Sequence, residues 1–153
     1  MTGRLLGVDY GVKRIGLAVS DPDRIIASPL LTYERIDGDV DATFYCKLIL
    51  DERIAAIVVG LPVHTDGREG VKAIEARAYG KWLAQTTGLP VRYWDERFST
   101  AQAESALWNA GLTHQKRKDR RDRVAAQMIL QAYIEAGCPE DEGAGPMADG
   151  GER

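Results

Sequence analysis

The chain holds a short, unbroken apolar run at residues 54–60, Ile-Ala-Ala-Ile-Val-Val-Gly. Charged residues precede this run, and Leu-Pro follows its glycine. A short apolar run with such borders is typical of a parallel strand that is buried on both faces. Apolar residues at helical spacing occur on either side of it, in residues 40–53 and again from Val71 onward. The run therefore predicts a central strand with a helix before it and a helix after it.

The residues before this run predict an antiparallel meander. Strands are expected at residues 5–10 and 14–20, which are apolar and separated by a short turn. Asp21-Pro22-Asp23 has strong turn chemistry. The apolar residues 25–33 contain Pro29, which favours a short strand or an edge strand.

The residues after the run alternate between strand and helix patterns. The elements expected there are a helix from Val71 to Gly88, a strand at 91–94, a helix from Ser99 or Thr100 to Gly111, and a helix at 117–136. Parallel strands joined by helices have right-handed crossovers. The predicted fold is therefore an α/β domain with a mixed five-stranded sheet that is flanked by helices.

The length of 153 residues suits one domain with a proper core. We expect this domain at residues 1–137 and a disordered acidic tail at residues 138–153, which is rich in Pro, Gly, Asp and Glu. The formal net charge is −3, but five of the 23 acidic residues lie in the tail, so the domain itself is nearly neutral. Local basic clusters then decide whether the domain binds a polyanion.

Composition excludes several classes of protein. No apolar run approaches the ~20 residues that a membrane-spanning helix needs, and the first residues lack a signal-peptide pattern. The chain has two cysteines, without a CxxC motif, and two histidines, which argues against a zinc site or a disulfide scaffold. We therefore expect a cytoplasmic protein.

Asp9 is a single carboxylate at the end of the first predicted strand. Successive side chains of a strand point to opposite faces, so Asp9 shares a face with Leu5 and Gly7. The small neighbour lets another group approach the sheet there. A carboxylate in an apolar strand costs free energy unless it is paired or coordinates a metal. Asp9 is thus either a turn cap or a functional carboxylate.

Carboxylates also occur where the last strand ends and on the final helix. Asp95 and Glu96 follow the last predicted strand, and Asp122 lies one turn before two alanines that would pack on the sheet. Converging carboxylates suit Mg²⁺ or Mn²⁺, and two such ions about 4 Å apart can cleave phosphodiesters. Alternatively, Asp95-Glu96-Arg97 is a surface ion-pair turn, and Asp122 only favours a helix N-terminus.

Basic residues near these acids would hold a polyanionic substrate. The strongest cluster lies at residues 116–123, Lys-Arg-Lys-Asp-Arg-Arg-Asp-Arg. The alternatives are a solvated helix start for this cluster and plain turn positions for the bases after Asp9. The three tryptophans favour core positions over base stacking. The predicted substrate-binding residues are Lys13, Arg14, Arg97, Thr100, Lys116 and Arg120.

A different class also fits the strand–turn–strand around Asp9-Tyr10-Gly11. Actin-like ATPases and sugar kinases place a similar element around phosphate. Those proteins usually need a duplicated domain and a far longer chain, which argues against this alternative.

Four motifs in order resemble the YqgF family, also called RuvX-like or Holliday-junction-resolvase-like nucleases. They are Gly7-Val8-Asp9-Tyr10-Gly11-Val12-Lys13-Arg14-Ile15-Gly16, Val58-Val59-Gly60-Leu61-Pro62 with Asp66-Gly67, Asp95-Glu96-Arg97-Phe98-Ser99-Thr100, and Asp122 with Ala125-Ala126. The resemblance covers residues 4–136 and implies an RNase H-like fold and a divalent-metal nuclease.

The resemblance also assigns roles to three acids. Asp9 matches the first-strand carboxylate, Glu96 the acid of the Asp-Glu-Arg motif, and Asp122 the last-helix acid. In related resolvases the middle carboxylate lies on an earlier strand, where this chain has Gly60-Leu61-Pro62, so the choice between Glu96 and Asp95 stays open. The acidic tail and the arginines around Asp122 depart from the family pattern.

Three functions follow as hypotheses. The first is an endonuclease with Mg²⁺ or Mn²⁺, two ions being expected, that matures the 5′ end of 16S rRNA from its precursor. The second is a Holliday junction resolvase that acts on branched DNA and needs a dimer for paired nicks. The third is a nucleic-acid-binding module without catalysis. The sequence leaves open whether the protein is a monomer or a homodimer.

Overall fold

A computed structural model describes residues 3–64, 66–98 and 114–140 of the chain. In chain order these residues form β1 (Arg4–Asp9), β2 (Arg14–Ser20), β3 (Ala27–Glu34), α1 (Gly38–Glu52), β4 (Ile54–Leu61), α2 (Val71–Thr87), β5 (Val91–Asp95), a 3₁₀ turn (Glu96–Phe98) and α3 (His114–Glu135). The helix predicted between Ser99 and Gly111 lies outside the described residues, as does the acidic tail beyond residue 140.

The five strands form one mixed sheet in the order β3-β2-β1-β4-β5. β1 pairs antiparallel with β2 and parallel with β4, and β4 pairs parallel with β5. The predicted α/β fold with a mixed five-stranded sheet is therefore confirmed. The apolar run at 54–60 lies in β4, between β1 and β5, where it is almost wholly buried.

β3 is an edge strand, as Pro29 predicted, but it has eight residues and is not short. It starts at Ala27, two residues later than expected. The side chain of Asp21 explains the difference, because its Oδ1 accepts hydrogen bonds from the backbone N–H groups of Ile25 and Ile26, at 2.7 and 2.8 Å. These donors extend the turn at the expense of the strand.

Helices cover both faces of the sheet. Leu6 and Val8 of β1 pack in the core beneath α1 and α2, whereas Leu5 packs with α3 on the other face. This alternation is the one expected for the first strand. No helix in the described ranges combines the length and the apolar character that crossing a membrane would require.

α3 lies unusually close to the sheet, because two glycines face it. A Cβ added to Gly7 would lie 2.9 Å from the Cβ of Leu130, and one added to Gly16 would lie 1.9 Å from the carbonyl oxygen of Asp122. Real side chains at these positions would push the helix away. The glycines therefore set the height of Asp122 above the sheet.

Gly16→Ala should destabilise the fold by about 1–3 kcal/mol, since the new methyl group meets the backbone of α3 rather than a flexible side chain. Gly38→Ala is the matched control, because a Cβ at Gly38 would meet nothing within 4 Å. Urea unfolding of both variants measures the difference. Equal free energies of unfolding for the two variants would contradict the close packing of α3.

Candidate functional site

Asp9 and Glu96 meet at the carboxyl end of the parallel strands. Asp9 is the last residue of β1, and Glu96 begins the 3₁₀ turn directly after β5. β4 lies between these strands, and Gly60 is the reason that Glu96 can reach across it. A Cβ at Gly60 would lie 2.9 Å from Oε2 of Glu96. The Glu96 side chain therefore occupies the space above β4 that any other residue at position 60 would fill.

The two carboxyl groups are buried and share a hydrogen bond, which changes how readily they ionise. Burial raises the pKa of Asp9 well above its ordinary value, and the negative charges of Glu96 and Asp122 raise it further. Burial also raises the pKa of Glu96. Without a cation the pair favours holding a proton. A positive ion between the two groups would relieve both the burial cost and the repulsion.

Asp122 lies on α3, near enough to raise the pKa of Asp9, but it faces Arg14. Nε of Arg14 donates to Oδ2 of Asp122 at 3.1 Å, and both side chains are largely shielded from solvent. Across the described ranges, no cluster of three or more His, Cys, Asp or Glu side chains is arranged to hold a metal ion. The structure thus brings Asp9 and Glu96 together and places Asp122 beside them in an ion pair.

Asp95 and Glu96 are adjacent in sequence but engage different partners. Both oxygens of Asp95 accept hydrogen bonds from Arg97, from its Nε and from its backbone N–H, and the guanidinium Nη2 lies 2.6 Å from Oδ2. Glu96 instead bonds Asp9. Asp95-Glu96-Arg97 therefore contains both features weighed from the sequence, an ion-pair turn and a carboxylate that points to the site.

The predicted substrate-binding residues fall into three groups. Arg14 and Arg97 are held by carboxylates, as described above. Lys13 and Arg120 are exposed to solvent. Thr100 and the side chain of Lys116 lie outside the described part of the chain.

A family model described as RuvX, Holliday junction resolvase, matches residues 3–136 of this chain. The chain belongs to the RuvX family.

Curated RuvX relatives cover most of this chain. A protein of Rhodopirellula baltica is 49% identical over 135 residues, which cover 88% of this chain and 78% of the relative. A protein of Rhodobacter capsulatus is 44% identical over 133 residues, which cover 87% of this chain and 84% of the relative. Both carry the name "Putative pre-16S rRNA nuclease".

Solved structures show that this RuvX chain has an RNase H-like fold. The RuvC resolvase of T. thermophilus in complex with a Holliday junction substrate superposes with a TM-score of 0.56, at 20% identity, over 88% of this chain and 96% of RuvC. The fowlpox virus resolvase in complex with Holliday junction DNA superposes with a TM-score of 0.51, at 9% identity, over 89% of this chain and 98% of the resolvase. At these identities the likeness extends to the fold.

Two features of the RuvX site were missed from the sequence. The Arg14–Asp122 pair joins residues 108 positions apart, and no local pattern connects them. Gly60 was noted only as part of a loop without an acid, although its lack of a side chain makes room for Glu96. A glycine that ends a buried strand, beside a strand that ends in acids, is a signal that could have found it.

Asp9→Asn should flatten the pH dependence of stability in metal-free RuvX protein. The folded state holds the proton of Asp9 at pH values where the unfolded state, with an ordinary pKa of about 4, has lost it. The free energy of unfolding therefore falls as pH rises from about 4 through the raised pKa of the wild-type protein. The asparagine variant lacks this loss, so it should be more stable than wild type at pH 7.

Urea unfolding between pH 4 and pH 8, in the presence of a chelator, measures this effect. Asp51→Asn is the control, because Asp51 is exposed and pairs with Lys47 one turn away. If the free energy of unfolding of Asp9→Asn depends on pH as steeply as that of the wild-type protein, Asp9 is not the titrating group.

Proposed function

We propose that this protein is a metal-dependent endonuclease of the cytoplasm that matures the 5′ end of 16S rRNA from its precursor. Membership of the RuvX family and the name carried by its curated relatives support a hydrolase that acts on phosphodiester bonds. The observation that carries the proposal is the buried pair of carboxyl groups, Asp9 and Glu96, at the carboxyl end of the parallel strands.

The donor set fits a divalent cation. Carboxylate oxygens are the ligands that Mg²⁺ and Mn²⁺ prefer, and a cation would offset the burial that raises the pKa of Asp9 and of Glu96. Asp9, Glu96 and Asp122 would hold the ion or pair of ions. Bound there, a divalent cation supplies an activated water and stabilises the leaving oxygen in phosphodiester hydrolysis.

The surrounding residues orient these acids and contact the substrate. Arg14 fixes the carboxylate of Asp122 through its Nε, and Asp95 fixes the guanidinium of Arg97 beside Glu96. The exposed bases Lys13 and Arg120 can reach the phosphates of a structured RNA. The protein thus combines a buried acidic centre with a basic approach.

Resolution of Holliday junctions is the second candidate, because the description of the matching family model names that activity. Paired nicks on a four-way junction need two active sites, so this function requires a homodimer. Cleavage of precursor RNA and of junction DNA by the same preparation separates the two substrates, and its mass in solution shows whether a dimer forms.

Asp9→Asn and Glu96→Gln should each reduce cleavage of precursor 16S rRNA in Mg²⁺ by at least about 100-fold. Residues that only orient a metal ligand typically cost 10- to 100-fold, and loss of a ligand itself costs more. Asp95→Asn is the matched control, because Asp95 hydrogen-bonds Arg97 and affects the pair through its charge beside Glu96, and it should cost about 10-fold or less.

Initial rates on a labelled precursor fragment measure these effects, with circular dichroism as the check on folding. Full activity in folded Asp9→Asn would exclude the mechanism. A folded wild-type protein that binds RNA in a salt-dependent way, but cleaves neither RNA nor junction DNA with Mg²⁺ or Mn²⁺, would instead identify a binding module without catalysis.

A further inference from the structure

A cleft of about 850 Å³ opens on the opposite face of the sheet from Asp9. It lies between the β1–β2 turn, the start of α1 and the middle of α2, and none of the three acids of the candidate site lines it. Its volume is in the range of cavities that bind small organic groups. Of the residues that line this cleft, the function proposed above uses Lys13 alone.

One wall of the cleft is an aromatic surface that is held in place by an arginine. The rings of Tyr10 and Tyr79 lie 5.2 Å apart, and those of Tyr79 and Trp82 lie 5.5 Å apart. The guanidinium of Arg35 lies over both tyrosines, at 5.4 and 5.0 Å from the ring centres. Its Nη1 donates to the carbonyl oxygen of Val12 at 3.0 Å, which fixes the planar cation. Aromatic rings and guanidinium planes are the surfaces on which unpaired bases stack.

Glu75 supplies an acceptor in the same cleft. Its Oε1 is buried without a hydrogen-bond partner among the described residues. Asp41, which also lines the cleft, differs in that its Oδ1 accepts from the hydroxyl of Tyr33 at 2.5 Å and from the backbone N–H of Ile36 at 3.0 Å. An unsatisfied buried acceptor costs free energy, which a ligand with N–H donors would recover.

The charges in the cleft determine which part of a nucleotide can enter. Glu34, Asp37, Asp41 and Glu75 line it against Lys13 and Arg35, so a phosphate inside would be repelled. An uncharged, flat ring is not repelled. The rim is apolar, since the side chains of Val12 and Ile36 are 56% and 67% exposed. Such a rim favours burial of a base with its phosphates outside, near Lys13.

The cleft and the carboxylate site are linked through β1. Asp9 is the last residue of β1 and Tyr10 follows it directly, so their side chains point to opposite faces of the sheet. A nucleic-acid strand that crosses the β1–β2 turn would have its phosphates beside Asp9 on one face and a neighbouring nucleotide beside Tyr10 on the other.

We propose that the cleft lined by Tyr10, Arg35, Glu75 and Trp82 binds one unpaired nucleobase of the RNA substrate, preferentially guanine. Guanine presents two adjacent N–H donors, which the carboxylate of Glu75 can accept. It also offers a large ring for stacking. The inference rests on the nuclease function proposed above, and it identifies a determinant of where that nuclease positions its RNA.

The test uses fluorescein-labelled RNAs of about six nucleotides in which every position is abasic except one central base. Fluorescence anisotropy in a chelator measures binding without cleavage. Wild-type protein should bind the RNA with a central guanine at least about 10-fold more tightly than the fully abasic RNA, which is the usual effect of one stacked base. Central adenine, cytosine and uracil should give smaller gains.

Glu75→Gln and Trp82→Leu should each remove most of this gain while leaving binding of the abasic RNA unchanged. Glu75→Gln should fold normally, because Oε1 of Glu75 has no hydrogen bond within the described ranges that the change would remove. Glu52→Gln is the control, since Glu52 pairs with Arg4 at the other end of α1. A guanine gain that persists in both cleft variants would overturn the inference, as would a wild-type protein that binds all these RNAs equally.

Capture of a lysine-rich peptide in the cleft, with no effect of the central base, would also overturn the inference and identify a protein-docking site. These outcomes are independent of cleavage. A wild-type protein that shows no guanine gain but cleaves its substrate normally with Mg²⁺ refutes the base site alone. If the protein binds the RNA with a central guanine more tightly in a way that depends on Glu75, but cleaves no substrate, the base site is supported and the nuclease function is refuted.

Discussion

The close approach of α3 to the sheet is the constraint on which the rest of the candidate site depends. Gly7 and Gly16 let the helix backbone descend onto β1 and β2, and Asp122 arrives beside Arg14 only because of that descent. Gly60 likewise makes room for Glu96, because the Glu96 side chain occupies the space that a Cβ at position 60 would fill. Side chains are absent at the three places where the acidic centre needs space. The fold therefore gives up side chains at these glycines in order to bring distant carboxylates together.

The acidic centre works against the stability of the domain that contains it. Asp9 ends a strand whose neighbours are fully buried, and both its burial and the charges of Glu96 and Asp122 oppose its ionisation. A protein selected for stability alone would place an apolar residue there. The domain tolerates this cost because most of the core beneath α1 and α2 is apolar, and the carboxylate buried there, Asp41, accepts hydrogen bonds from Tyr33 and Ile36. The charge repulsion among Asp9, Glu96 and Asp122 thus lies on the α3 side of the sheet.

The sequence predicted the fold well where local physics decides it. The apolar run of β4, the alternation of β1 and the glycine stop at Gly88 are short-range features, and each predicted element in the described ranges exists. β3 was placed two residues early because hydrogen bonds from Ile25 and Ile26 to the Asp21 side chain are not visible in a hydropathy pattern. The Arg14–Asp122 pair was not predicted, because it depends on the distance between α3 and β2, which no local sequence pattern determines.

Side chains at the end of β1 alternate between the two faces of the sheet, and the two faces favour different ligands. Asp9 points to the α3 face, where buried carboxyl groups favour a cation, and Tyr10 borders the opposite face, where stacked rings and Arg35 favour a flat, uncharged group. A phosphate is repelled from the acidic cleft by the carboxylates that line it. This division allows one strand end to define both where a chain is cut and how it is held.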